Sequence, residues 1–133
     1  MISLKEAIKF HGHLGPYLVL GLLAGSFGLE KTGAKKYFGL EVKVYGANIK
    51  PKSCLIDGLQ LSTGATYGKG NIRKYASGRI KVIMRNTEDN KAVTLRLKGA
   101  LIKELDNLKG HVNSENFARR LLKVGKQKIF TLN

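Results

Sequence analysis

From Leu14 to Leu29 the chain carries no charged residue: LGPYLVLGLLAGSFGL. Such a segment has to be hidden from water, either in a bilayer or in a protein core. It is shorter than the roughly 20 residues that span a bilayer, and Pro16 and four glycines interrupt it. Its front end also argues against a secretory leader, because Glu6, His11 and His13 stand where a basic and then cleanly apolar segment is needed. The segment is expected to be a core helix of a cytoplasmic, soluble protein. Pro16, with its fixed φ and missing amide, suits the first helical position, and Gly28 is the expected stop.

A chain of 133 residues, 43% hydrophobic, can enclose that helix in one domain. SLKE at Ser3 to Glu6 fits a capping box and predicts a short first helix ending near Phe10, so that His11 to Gly15 form a loop. Between Tyr37 and Ala47, Leu40, Val42 and Val44 alternate with Glu41, Lys43 and Tyr45, the period of a half-buried strand. Ser53 is the expected cap of a helix through CLIDGLQLST that Gly64 ends. Residues 71 to 98 read as two or three antiparallel strands around the turn NTEDNK. Helical spacing returns over Leu101 to Leu108 and Glu115 to Leu122, with Ser114 as cap and Gly125 as stop, and QKIFTL adds an expected edge strand. No repeat or linker divides the chain, so the expectation is a single α+β domain over residues 1–133, helices packed on a mainly antiparallel sheet.

Twenty-four Lys and Arg against nine Asp and Glu leave a net charge of +15, which points to an acidic partner or an anionic ligand. Residues 67 to 103 hold ten of the cations, with only Glu88 and Asp89 opposing them. In the strand reading Arg79, Lys81 and Arg85 share one face, as do Arg96 and Lys98 on the next strand. Nucleic acid is one candidate partner, but Tyr75 is the only aromatic residue seen to interleave with those charges. The single cysteine excludes a disulfide framework and a zinc ribbon, and fits a reducing compartment.

Two stretches could carry chemistry. His11, His13 and Cys54 supply imidazole nitrogen and thiolate sulfur, the donors zinc and other late transition metals prefer. Cys54, next to Ser53 at a helix start, would feel the positive helix end, which lowers a thiol pKa. Histidines satisfied in a turn and an inert buried cysteine are the plain alternative. STGATYGKGN, residues 62 to 71, could form a nest for an anion beside Lys69, or be an ordinary turn; its glycine spacing is not that of a phosphate-binding P-loop. Asp57, the only acid between Val42 and Thr87, could act as a base, a metal ligand or the counterion of Lys69 and its neighbours.

HGHLGP from His11, CLIDGLQ from Cys54 and TGATYGKGN from Thr63 together resemble the FmdE family, the E-type subunits of formylmethanofuran dehydrogenase, over Ser3 to about Leu108. The family pattern reads H-G-H-L-C-P, then C-x-x-D-x-x-Q, then T-G-C-T-x-G-x-G-N. The resemblance implies an α+β core that forms a homodimer, and a pocket where the three blocks converge, with a divalent transition metal, zinc foremost, in some members. Carried over position by position, His11, His13 and Cys54 become metal ligands, and Asp57, Gln60, Thr63, Lys69 and Asn71 line the pocket or hold an anion. Two family cysteines are Gly15 and Ala65 here, which reduces the soft donors, and no cysteine follows Cys54 to build the C-terminal zinc module of many relatives.

Two functions follow as expectations: a metal-binding protein or accessory subunit related to formylmethanofuran dehydrogenase, or a metal-free basic module that docks a polyanion, whether nucleic acid or an acidic partner protein. An enzyme acting on a small anion, with Asp57 or a metal-bound water as base, ranks below both, because no complete nucleophile constellation is present.

Overall fold

The computed structural model describes residues 2–133. Ser3 caps the first helix, α1 (Leu4–His11): its Oγ accepts from the Glu6 amide at 3.1 Å and donates to the Glu6 carboxylate at 2.8 Å. The helix runs one residue beyond Phe10 because Gly12, at φ 109°, closes it with a 2.7 Å bond from its amide to the Ile8 carbonyl. His11 is thereby fixed in a helical last turn rather than in the loop.

Pro16 opens α2 (Pro16–Thr32) as expected, but the helix passes through Gly28 and ends at Gly33, in the left-handed region at φ 68°. Gly28 is a packing residue rather than a stop: a Cβ there would sit 2.6 Å from Met84 Cε. The same face of α2 lies directly on α3 (Cys54–Thr63). A Cβ on Gly21 would run into the Leu55 carbonyl oxygen, one on Gly58 into the Leu18 carbonyl oxygen, and one on Gly25 into Ser62 Oγ. Contacts advance along both helices together, from Leu18 with Gly58 to Gly25 with Ser62, so the two helices run side by side in the same direction. Ser62 Oγ donates to Gly58 O at 2.8 Å within α3 and reaches Gly21 O at 3.3 Å across the seam. Parallel packing puts the starts of α2 and α3 at one end of the molecule.

The helices cover one face of a five-stranded sheet in the order β2-β1-β3-β4-β5. Its strands are β1 (Leu40–Tyr45), β2 (Ile72–Tyr75), β3 (Lys81–Asn86), β4 (Ala92–Leu97) and β5 (Phe130–Leu132). Three of the four pairings are antiparallel, and β5 forms the expected edge. The stretch 71 to 98 contributes three strands, but β2 pairs in parallel with β1 instead of joining a meander. The reason is α3, which carries the chain back past β1 and so forms a strand–helix–strand crossover. Val42, Val44, Val82, Met84 and Leu95 point inward against Leu20, Leu23 and Phe27 of α2. Their strand neighbours point out to solvent.

After β4 the chain forms α4 (Gly99–Asp106), then α5 (His111–Leu121), which packs on α2, and the short α6 (Lys126–Ile129). Ser114 is not the cap of α5: Gly110, at φ 85°, reverses the chain and the helix begins at His111. Gly125 is not the stop of α5, which ends at Leu121 with Leu122 as its cap; it is instead the N-cap of α6. Among the described residues no helix is long and apolar enough to cross a membrane.

Candidate functional site

At the common end of α2 and α3 is a cavity of about 200 Å³, bordered by His11, His13, Gly15, Cys54, His111 and Ser114 among others. Three separate elements meet here because α1 ends at His11, α3 begins at Cys54 and the Gly110 turn delivers His111. The imidazoles of His11 and His13 lie against each other with centroids 4.9 Å apart and planes tilted by 36°. His13 is exposed, whereas the His11 side chain is only 9% accessible.

His11 Nδ1 lies 2.6 Å from Asp57 Oδ2. An ionised carboxylate only accepts, so Nδ1 carries the proton and donates it, and in the neutral imidazole Nε2 is then the lone-pair nitrogen. That Nε2 is buried and has no hydrogen-bond partner. A buried nitrogen without a partner carries a desolvation cost of about 1–3 kcal/mol, which a ligand at that atom would relieve. Asp57 is therefore the partner of His11 rather than the counterion of Lys69; it reaches the imidazole because it lies one turn beyond Cys54 on α3.

Cys54 departs from expectation. Burial pushes its thiol above the ordinary range, the neighbouring Asp57 carboxylate raises it further, and Lys50 with the cysteine's own backbone hydrogen bond offsets only part of this. The helix end is outweighed by burial and Asp57, and Ser53, itself helical at φ −64° and ψ −17°, makes no side-chain cap. The amides of Cys54 and Leu55 are occupied by the carbonyls of Pro51 and Lys52, each at 3.1 Å.

The remaining sequence candidates sit elsewhere. Gln60 and Thr63 lie toward the far end of α3, roughly 9–14 Å along its axis from Cys54 at about 1.5 Å per residue, and Lys69 and Asn71 follow in the loop after it. Their polar groups hold the glycine-rich loop together. The Tyr67 amide donates to Gln60 Oε1 at 3.1 Å, Thr66 N to Asn71 Oδ1 at 3.0 Å, and Lys69 Nζ to Thr66 Oγ1 at 3.2 Å. Thr63 Oγ1 donates to the Leu59 carbonyl at 2.6 Å. Ala65 is fully buried there, whereas Gly15 borders the histidine cavity, where a Cβ would stand 3.3 Å from His13 Nε2. His111 had no motif around it in the sequence; only the turn at Gly110 reveals its place.

In kind, two or three imidazoles and one thiol around an orphaned, carboxylate-oriented nitrogen fit a late transition metal. In arrangement, no group of three or more His, Cys, Asp or Glu among the described residues is already gathered around one point. His11 is held by Asp57, and the exposed His13 rests against its ring.

Residues 10–130 match the family model described as FmdE, molybdenum formylmethanofuran dehydrogenase operon. Among individual proteins, the chain is 30% identical over 91 residues to a protein of Archaeoglobus fulgidus named "Probable S-adenosyl-L-methionine-binding protein". That match takes in 68% of this chain and 25% of the relative, so the chain spans about a quarter of the relative's length. The fold resembles the crystal structure of an FmdE-like protein of the tungsten formylmethanofuran dehydrogenase type from Syntrophus aciditrophicus, with a TM-score of 0.73. That superposition covers 97% of this chain and 67% of the other at 19% identity, a likeness of fold.

Proposed function

The chain belongs to the FmdE family, and from that premise we propose that it is a cytoplasmic accessory protein that captures one divalent transition metal ion, zinc by its donor set, in the histidine cavity. The observation that supports this most is the buried Nε2 of His11, which lacks any partner on a ring that Asp57 holds at the border of the cavity. His13 and Cys54 would complete the ligand set, with His111 on the same cavity wall. A zinc ion held by so few protein donors would keep an open position and could polarise a bound water or carbonyl. Residues 1–133 would act as one core domain, paired as a homodimer or seated on a larger partner protein. Lys69 is the cation that the glycine-rich loop would offer to an anion.

Tag-free protein titrated with zinc against a chromophoric chelator is expected to bind one ion per chain. Asp57→Asn keeps the shape but weakens the acceptor that orients His11, so affinity should fall about 10–100-fold. Because the Cys54 thiol lies above its ordinary range, it is protonated near neutrality and must release that proton to bind. Affinity is therefore expected to climb by up to about tenfold per pH unit above neutrality, and Cys54→Ser should flatten the slope. Zinc binding that ignores both substitutions would contradict the proposal.

A further inference from the structure

The outer face of the sheet, remote from the cavity, has its own organisation. Strand register places Tyr75, Tyr45, Lys81, Arg96 and Thr131 in one row across all five strands. Arg73, Lys43, Ile83 and Thr94 form the adjacent row, and Glu41 and Arg85 the next. Tyr45 and Tyr75 stack at 4.9 Å with planes 20° apart, and Lys81 Nζ lies 4.5 Å from the Tyr45 ring centroid. These side chains are exposed or half-buried. Glu41, the one acid in these rows, is already paired with Arg85 at 2.8 Å. Lys43, Arg73, Lys81 and Arg96 have no acidic partner within salt-bridge distance among the described residues.

Tyr75 lies on an edge strand, so no strand stands beyond its ring. It borders a hollow of about 240 Å³ together with Lys43, Arg73, Gly70, Asn71 and Glu41, whose carboxylate is held by Arg85. A flat ring that can be stacked upon, a hollow beside it and cations in the flanking rows suit a base and the phosphates on either side of it. We propose that this face binds single-stranded nucleic acid, with a base stacked on the Tyr75–Tyr45 pair and the backbone running over Arg73, Lys43, Lys81 and Arg96. An acidic protein would use the cations but gains nothing from the stacked rings. A second copy would bring the same unpaired cations against one another. Asn71 cannot read the base, since its amide already donates to Tyr37 O at 2.7 Å and accepts from Thr66 N at 3.0 Å. Binding should therefore depend on stacking and charge, with little sequence preference.

The test is fluorescence anisotropy of a labelled short oligothymidylate with the full chain, compared with an abasic strand of equal length and with polyglutamate as competitor. The expected result is binding that weakens steeply with salt. The abasic strand should bind about tenfold or more weakly, as base–aromatic stacking implies. Tyr75→Ala should lose that difference and Tyr75→Phe keep it, both with unchanged circular dichroism. Arg73→Ala should lower the salt slope by about one. Absence of binding, equal affinity for the abasic strand, or polyglutamate competing as well as unlabelled oligothymidylate would overturn the proposal; the last two would assign the face to acidic polymers in general.

Discussion

The His11→Ala variant is expected to fold normally and to lose zinc. His11 ends a helix whose capping rests on Ser3 and Gly12, so its side chain does little for the local backbone. Its removal leaves Asp57 without an imidazole, but that carboxylate is 36% accessible and can take up water instead. The cost to stability should stay within about 1 kcal/mol. Binding is another matter, because Nε2 is the one donor already buried, oriented and unpaired. The remaining donors would have to be gathered with nothing fixed in advance, and a loss greater than about 100-fold is expected, beyond that of an outer partner such as Asp57. Zinc titration with parallel thermal melts separates the two effects. Retained affinity would remove His11 from the site, and a collapsed melt would make it a structural residue.

Replacing Gly21 with alanine should do the reverse and strike the fold itself. The added Cβ has no room: it meets the Leu55 carbonyl oxygen, then Gly58 Cα at 2.8 Å and the Leu59 amide at 2.9 Å, all backbone atoms of a packed helix. Rotamer changes cannot relieve a backbone collision, so α2 and α3 must separate along their length, opening the seam around Leu20, Leu55 and Leu59. A loss on the order of 3 kcal/mol or more is expected, against a total of about 5–15 kcal/mol for a domain. That corresponds to a melting temperature lower by roughly 10 °C, or to insoluble protein. Gly99→Ala is the control: it lies at the start of α4 with nothing within 4 Å of a new Cβ, and should be neutral or slightly stabilising. A stable Gly21→Ala protein would refute the close parallel packing that sets the starts of α2 and α3 side by side.

Much of this was legible in the residues. The Ser3–Glu6 cap, Pro16 as a helix start and the alternation in β1, β3 and β4 are local features whose physics is complete within a few residues. His11, His13 and Cys54 were each visible as donors, and they do border one cavity. What escaped depends on partners distant in the chain. Gly28 reads locally as a stop, yet the helix continues because Met84 fills the space a side chain would take. The His11–Asp57 contact joins residues 46 apart, and Tyr45 meets Tyr75 only because β2 lies parallel to β1. The Cys54 thiol was expected to be lowered by a helix end; burial and Asp57 raise it, and neither is visible in the residues next to it.

The cavity at the shared end of α2 and α3 is proposed to hold a metal through nitrogen and sulfur from different parts of the chain. Zinc-edge X-ray absorption on tag-free, zinc-loaded protein tests this most directly. The expected spectrum has nitrogen scatterers at about 2.0 Å and a sulfur at about 2.3 Å, with the sulfur absent in Cys54→Ser and the bound zinc lost in His11→Ala. A shell of oxygen alone, or one unchanged by either substitution, would contradict the account.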